Sequence, residues 1–244
     1  MDKWNEGQFY KRSVCLDYMN CNMEKEVFIH YILGVFSEIA GDEHAERGQA
    51  IDFFHENGQV FLVTRMSMRI HKRPRCLERL VFTTWFRHAE GKVFYRDCDV
   101  RTPEGELLFS LTGTWMLFDL ERRQVTGVEN YKGKTSPECS LAADCPPCKK
   151  VVPQTESRSL GCREIRYTDI DCNCHVNNSV YSSIAADFLP AEYRGRALRE
   201  YHINFNRETK LGETLELMGS ETETGYIVQG YAGSVLHFGS EFVY

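Results

Sequence analysis

The sequence predicts an α+β protein built as two tandem copies of one unit, each a long apolar helix wrapped by a curved antiparallel sheet. Three observations lead there. The same order of elements, a strand, an apolar helix and then several strands, stands on either side of a polar, irregular stretch from residue 128 to 158. An ungapped alignment lays MSMRIHKRPRCLERL from Met66 over YHINFNRETKLGETL from Tyr201, so that Met66, Met68 and Ile70 coincide with Tyr201, Ile203 and Phe205, and Glu78 with Glu213. A helix that is apolar over much of its surface also needs a sheet around it, which consecutive antiparallel strands supply.

In the first half, FYKRSVCLDYM alternates as a strand does. EVFIHYILGVFSEIAG then places Phe28, Ile32, Val35, Phe36 and Ile39 on one helical face. Four alternating segments follow, QVFLVTRMSMRIHK, ERLVFTTWFRHA, KVFYRDCDVRT and LLFSLTGTWMLFDL, parted by turn signals such as Ala89-Glu90-Gly91 and Pro103-Glu104-Gly105. In the second half LGCREIRYTDI reads as a strand, and Val180, Ile184 and Phe188 mark a helix. REYHINFNRE, ETLELMGSE, YIVQGYAG and LHFGSEFVY again read as strands. Residues 128–158 lack apolar periodicity and are dense in Gly, Pro, Ser and Lys, so we assign 1–127 to the first domain, 128–158 to a linker and 159–244 to the second domain.

Composition narrows the functional classes. With 244 residues, 42% of them hydrophobic, the chain can build one large core or two small ones. A formal net charge of -6 argues against generic nucleic-acid binding, which needs a broad basic face. MDKWNEGQFYKR lacks the apolar core of a signal peptide, and no run approaches the roughly 18 apolar residues of a spanning helix. The expectation is a cytoplasmic protein without a membrane partner. Ten cysteines in a chain this rich in core formers read mostly as reduced thiols. Cys145-Pro-Pro-Cys148, near Cys139 and Cys162, has CxxC spacing. A structural zinc needs four ligands, however, and a redox pair normally opens a helix after a strand. No metal and no cofactor are expected.

Chemistry concentrates in DIDCNCHVNNSVYSSI, from Asp169 to Ile184. The strand ahead of it feeds a turn and then a helix beginning near Asn177, where unpaired backbone N–H groups and the helix dipole favour negative charge. Asp171, Asn173 and His175 alternate, which suits side chains projecting to one side of an extended turn: an acid to orient, an amide to donate and an imidazole to move a proton. The plainer reading is that Asn177 or Asn178 caps the helix while Asp171 and Asn173 make turn hydrogen bonds. A zinc site through Cys172, Cys174 and His175 lacks a fourth ligand at the expected spacing. With the opening aspartates aligned, the first-half turn from Asp17 places Met19, Cys21 and Met23 opposite Asp171, Asn173 and His175. That contrast favours a single active site in the second half.

The run Asp169, Asp171, Asn173, His175, Val176, Asn177, Asn178 and Tyr181 resembles the signature of the acyl-acyl carrier protein (acyl-ACP) thioesterases, double hot-dog enzymes that hydrolyse acyl-ACP to free fatty acid. HKRPRCLERLVFTTW and GTWMLFDLERRQ, with Trp85, Trp115 and Arg122-Arg123, are similar to the family's first-half motifs. The resemblance implies a further catalytic position where plant members carry Arg-Glu-Cys. Here the triplet is Arg207, Glu208 and Thr209; the Glu carries over and the Cys does not, which favours attack by water over a thiol nucleophile.

The expected site is therefore Asp171, Asn173, His175 and Glu208, with backbone N–H groups of Val176 and Asn177 receiving an oxyanion. His175 and Glu208 can exchange the general-base role. The expected partner is acyl carrier protein, landing on Arg69, Lys72, Arg73 and Arg75 or on Arg194, Arg196 and Arg199, and a homodimer is left open. An acyl-CoA thioesterase, a hot-dog dehydratase and a non-catalytic acyl-binding protein stay open as alternatives.

Overall fold

Helix α1, Ile29–Glu46, is the longest helix of the first half in the computed structural model, which describes residues 2–153 and 156–244. It buries Ile32, Leu33, Val35, Phe36, Ile39 and Ala40 along one stripe. Phe28 cannot cap it, so the entry is held by the backbone: the Phe28 N–H donates to Asn20 O at 2.9 Å. Seven strands belong to the same half: β1 (Lys3–Glu6), β2 (Phe9–Cys15), β3 (Gln59–Ile70), β4 (Arg79–Glu90), β5 (Val93–Arg101), β6 (Leu107–Asp119) and β7 (Gln124–Thr126). The order is β1-β2-β4-β5-β6-β3, antiparallel throughout, with β7 added to β6. Helix α1 lies against β2 and β4. Gly91, at φ 59, makes the β4–β5 reversal in a left-handed conformation that side chains resist.

The second half repeats the plan. It contains β8 (Arg158–Glu164), α3 (Asn178–Asp187), β9 (Glu200–Phe205), β10 (Thr214–Thr222), β11 (Gly225–Ala232) and β12 (Val235–Val243). The order β8-β10-β11-β12-β9 matches β2-β4-β5-β6-β3 strand for strand. Helix α3 lies against β12 and buries Tyr181, Ser182, Ile184 and Ala185. Gly225 opens β11 where a Cβ would come within 1.8 Å of Phe242 O, so only glycine fits.

The chain divides into two compact units, Met1–Cys148 and Lys149–Tyr244. The stretch expected to be a linker is irregular over residues 131–153 and 156–157 but is bonded to its neighbours; Gln154 and Thr155 lie outside the described residues. Its first part runs over the first unit's strands. Cys139 N–H donates to Phe86 O at 3.1 Å, Trp85 Nε1 to Leu141 O at 2.8 Å, and Ala143 N–H to Asp97 Oδ2 at 2.8 Å. These bonds lay the segment over β4 and β5, and Cys148 Sγ donates to Thr112 O of β6 at 3.5 Å; β6 is buried without alternation from Leu108 to Thr114.

Four short elements were not expected: β1, β7, α2 (Ile51–Glu56) and α4 (Ala191–Arg194). The strand expected to reach Ile170 stops at Glu164, because Tyr167–Asp169 form a 3-10 turn closed by the Arg166 N–H donating to Asp169 Oδ2 at 2.8 Å. The counterpart Tyr18–Asn20 ends the first strand early, with the Asp17 N–H on Asn20 Oδ1 at 2.9 Å. Phe188, expected on the second helix's apolar face, is its half-buried C-cap; Leu189 is buried instead, ahead of Pro190. Among the described residues no helix is long and apolar enough to cross a membrane.

One stripe position of α1 is charged. Glu43 is buried against Arg96 at 2.5 Å and accepts the Ser136 hydroxyl. Burial opposes its ionisation, but the Arg96 charge and the Ser136 hydrogen bond outweigh it and hold the carboxyl below its ordinary range. Glu43→Ala leaves Arg96 buried without its carboxylate and is expected to cost about 3–5 kcal/mol, read as a lower urea midpoint. The adjacent His44 packs between Phe54 and Phe61, and burial, then Arg96 and Arg47, push it from 6.5 down to about 4. A depressed folded value means stability is complete above the unfolded value and is lost as pH falls from about 6.5 towards 4, by about 3 kcal/mol. His44→Phe should flatten that part of the stability profile; an unchanged slope would remove His44 as its source.

Candidate active site

The turn that opens α3 is a tight reversal, which corrects the extended path expected for residues 171–175. Asp171 N–H donates to His175 O at 3.0 Å, Cys174 N–H donates to Asp171 O at 3.1 Å, and Ile170 bridges Val176. Cys174 makes the reversal at φ 65. The folding-back brings Asp171 and His175 together, with Asp171 Oδ1 3.7 Å from His175 Nδ1. The same Oδ1 accepts the Asn173 N–H at 2.8 Å, so Asp171 fixes the turn as well as facing the imidazole.

His175 Nδ1 also lies 3.3 Å from Val176 O. A carbonyl and a carboxylate only accept, so Nδ1 is assigned the proton and Nε2 keeps its lone pair. That leaves a half-buried imidazole able to take a proton on one side while held on the other. The Asn173 side chain is exposed and has no partner among the described residues. Asn177 is the N-cap, its Oδ1 accepting from Ser179 N–H at 2.9 Å and Ser179 Oγ at 2.7 Å.

The expected oxyanion donors need correcting atom by atom. Val176 N–H is committed to Thr209 O at 2.9 Å and Asn177 N–H to Asp169 O at 3.0 Å, so neither is free for a substrate. The first N–H of the helix, that of Asn178, has no partner among the described residues. Asp169 is structural: it is buried, paired with Arg163 at 2.9 Å, and closes the 3-10 turn.

Glu208 lies on the exposed segment after β9, one residue before Thr209. Since Val176 N–H bonds Thr209 O, Glu208 and His175 each immediately precede one end of the same hydrogen bond. Thr209, at the position where the resemblance implies a Cys, is fully buried, with its hydroxyl at 3.0 Å from Tyr181 OH and 2.7 Å from His237 Nδ1. A hydroxyl so committed is not an exposed nucleophile.

Equivalent hydrogen bonds also correct the register between the halves. Phe28 N–H to Asn20 O matches Asn177 N–H to Asp169 O, and Val27 N–H to Pro74 O matches Val176 N–H to Thr209 O. Asn20, not Asp17, is thus the counterpart of Asp169, and Asn22, Glu24 and Glu26 stand opposite Asp171, Asn173 and His175. Lys25 repeats the left-handed conformation of Cys174, at φ 64. The first turn is therefore polar too, but differently used. Glu26 is paired with Arg73, the counterpart of Glu208, at 2.9 Å. The first unit thus shows that side chains from these two positions can touch.

Cys172 and Cys174 are exposed at the turn, and all ten cysteines are free thiols. Burial raises both Cys145 and Cys148, the latter to about 11. Among the described residues no group of three or more His, Cys, Asp and Glu is placed to hold a metal ion.

The family model of the acyl-ACP thioesterase N-terminal domain matches residues 7–131, and that of the C-terminal domain matches residues 153–234. A chloroplastic acyl-[acyl-carrier-protein] hydrolase of Cuphea viscosissima is 19% identical over 224 residues, 86% of this chain and 54% of that protein. A chloroplastic palmitoyl-acyl carrier protein thioesterase of Arabidopsis thaliana is 24% identical over 231 residues, 89% of this chain and 56% of that protein. The chain thus spans about half the length of the curated relatives it matches. Among solved structures, an acyl-ACP thioesterase from Bacteroides thetaiotaomicron superposes with a TM-score of 0.86 at 18% identity, covering 97% of each chain. The 12:0-ACP thioesterase of Umbellularia californica gives 0.83 at 15%, covering 98% of each. At these identities the likeness shows the fold, an α+β double hot-dog. With both domain models matched in order, the chain belongs to the acyl-ACP thioesterase family.

Proposed function

We propose that this chain hydrolyses the thioester of fatty acyl-acyl carrier protein and releases free fatty acid, ending chain elongation. The observation that carries the reading is the turn itself: an imidazole with its outer nitrogen free, held by Asp171, beside the segment bearing Glu208. Glu208 orients or deprotonates the attacking water, and His175 can take either part of the proton transfer. Water oxygen bonds to the thioester carbon, and the C–S bond then breaks. The proton taken from water returns to the departing thiolate of the carrier. The Asn173 amide and the Asn178 N–H receive the charge that develops on the carbonyl oxygen. The second unit supplies this chemistry, and the first serves as scaffold and acyl pocket. A buried methylene is worth about 0.8 kcal/mol, so chain length is selected by where the pocket ends rather than by contact energy. We place the reaction in the cytoplasm, a compartment in which free thiols persist.

For the carrier, the two basic clusters differ. In the first, Arg69, Lys72 and Arg73 pair with Asp144 at 2.5 Å, Glu106 at 3.0 Å and Glu26 at 2.9 Å. In the second, Arg194 donates to Leu189 O and Asp187 O, Arg196 to Glu192 O, and Arg199 to Tyr244 O. The carbonyls of Leu189, Asp187 and Glu192 do not cancel the charges of Arg194 and Arg196, so the exposed Arg194–Arg199 segment is the better landing surface for an acidic carrier.

Single alanine substitutions at Asp171, Asn173, His175 and Glu208 are expected to lower kcat, by roughly 100- to 10,000-fold for His175 and 100- to 1,000-fold for Asn173. Wild-type turnover in all four would sink the assignment. One acyl chain presented on carrier protein and on CoA separates the proposed substrate from its nearest rival. Arg194→Gln and Arg199→Gln should raise KM for the carrier-bound substrate several-fold and flatten its salt dependence. Carrier binding that salt does not weaken would rule this surface out.

A further inference from the structure

Three buried positions differ in kind between the units although the backbone around them is the same. Asn206 and Arg207 N–H donate to His237 O at 2.8 and 3.1 Å, as His71 and Lys72 N–H donate to Leu108 O at 2.9 and 3.2 Å. With the two matched bonds already described, this register sets Tyr181, Thr209 and His237 of the second unit against Ile32, Pro74 and Leu108 of the first. All six are buried. The first unit thus holds the same backbone with an entirely apolar trio, so the fold does not require polar groups there.

In the second unit the three form a closed hydrogen-bond chain. The Tyr181 hydroxyl accepts the Thr209 N–H at 3.0 Å and donates to Thr209 Oγ1 at 3.0 Å. That leaves the Thr209 hydroxyl proton for His237 Nδ1, 2.7 Å away, so His237 is assigned its own proton on Nε2. Apolar packing lets a segment slide; a satisfied network in a buried site fixes it in direction as well as distance. The fixed segment is 206–209. His237 holds Asn206 and Arg207 through its carbonyl and Thr209 through its ring, and Thr209 O in turn receives Val176 N–H from the residue after His175. Glu208 is the acidic member of this segment, exposed like Asn206 and Arg207 and with no side-chain bond among the described residues.

We propose that Tyr181, Thr209 and His237 are positioning residues that set where Glu208 stands relative to His175. The inference rests on the hydrolase reading above and deepens it. None of the three touches the reacting atoms; they act through Glu208 and the turn. A misplacement of about 1 Å can cost about 100-fold in rate, which sets the effect expected when the network is cut.

The test uses the full chain. Thr209→Val removes only the hydroxyl, Thr209→Ser keeps it, and the triple variant Tyr181→Ile, Thr209→Pro, His237→Leu installs the first unit's apolar trio. Thr209→Val and the triple variant are expected to melt cooperatively, to lose about 100-fold in kcat with KM within about twofold, and to exchange the amides of 206 and 207, and in Thr209→Val that of 209, faster than wild type. Thr209→Ser should recover kcat to within a few-fold of wild type. A Thr209→Val protein with wild-type kcat and exchange, or a serine variant as impaired as the valine one, would overturn the proposal. If the wild-type chain hydrolyses no thioester, the proposed activity falls, while the exchange of 206–209 in Thr209→Val still decides whether the network holds that segment.

Discussion

The Val176 N–H bond to Thr209 O joins the entrance of a helix to the exit of a strand far along the chain, and the Val27 N–H bond to Pro74 O does the same in the first unit. Each strand emerging from the sheet would otherwise leave a loop free to drift from the turn ahead of the helix. The tie removes that freedom at one backbone bond and brings two segments with different jobs side by side. The candidate site of the second unit is arranged around it. His175 and Glu208 flank its ends, Asp171 braces the turn on one side, and the Tyr181–Thr209–His237 chain braces the strand exit on the other.

Most of the fold was legible in the sequence, because long elements carry periodic patterns. The apolar stripe of α1 and the alternation of β3 and β4 run for many residues, and tandem order on both sides of residues 128–158 exposed the duplication. What escaped was short or nonlocal. A strand such as β7 or a helix such as α4 is too brief for a period, and the early ends of β2 and β8 depend on single capping atoms, Asn20 Oδ1 and Asp169 Oδ2. The continuous burial of β6 from Leu108 to Thr114 could not be foreseen from the strand, since it depends on nonlocal contacts such as Cys148 Sγ on Thr112 O.

At the candidate site the residue types were legible, but the geometry was not. Aligning Asp17 with Asp169 matched two identical letters, whereas the hydrogen bonds match Asp169 with Asn20, which performs the same turn-closing act with an amide. The shift of register replaces Met19, Cys21 and Met23 by Asn22, Glu24 and Glu26. The contrast between the halves therefore does not lie in polarity of the turn. It lies in the residue that precedes the tie at the strand exit: Arg73 in one unit, Glu208 in the other. Thr209 and His237 carried no local signal at all, because their partnership exists only after β12 and the strand exit are brought together.

The Glu26–Arg73 pair has a consequence for how such a duplicated fold can change. Arg73 also donates to Val27 O at 2.7 Å, so the guanidinium spans the place where the second unit presents its carboxylate. Replacing either partner alone strands a partly buried charge, while replacing both at once is rare. A unit closed by an ion pair is in this sense ratcheted: the first unit can go on varying elsewhere, but exchanging Arg73 for a carboxylate passes through a less stable intermediate. The asymmetry between the two copies is thereby protected by local electrostatics.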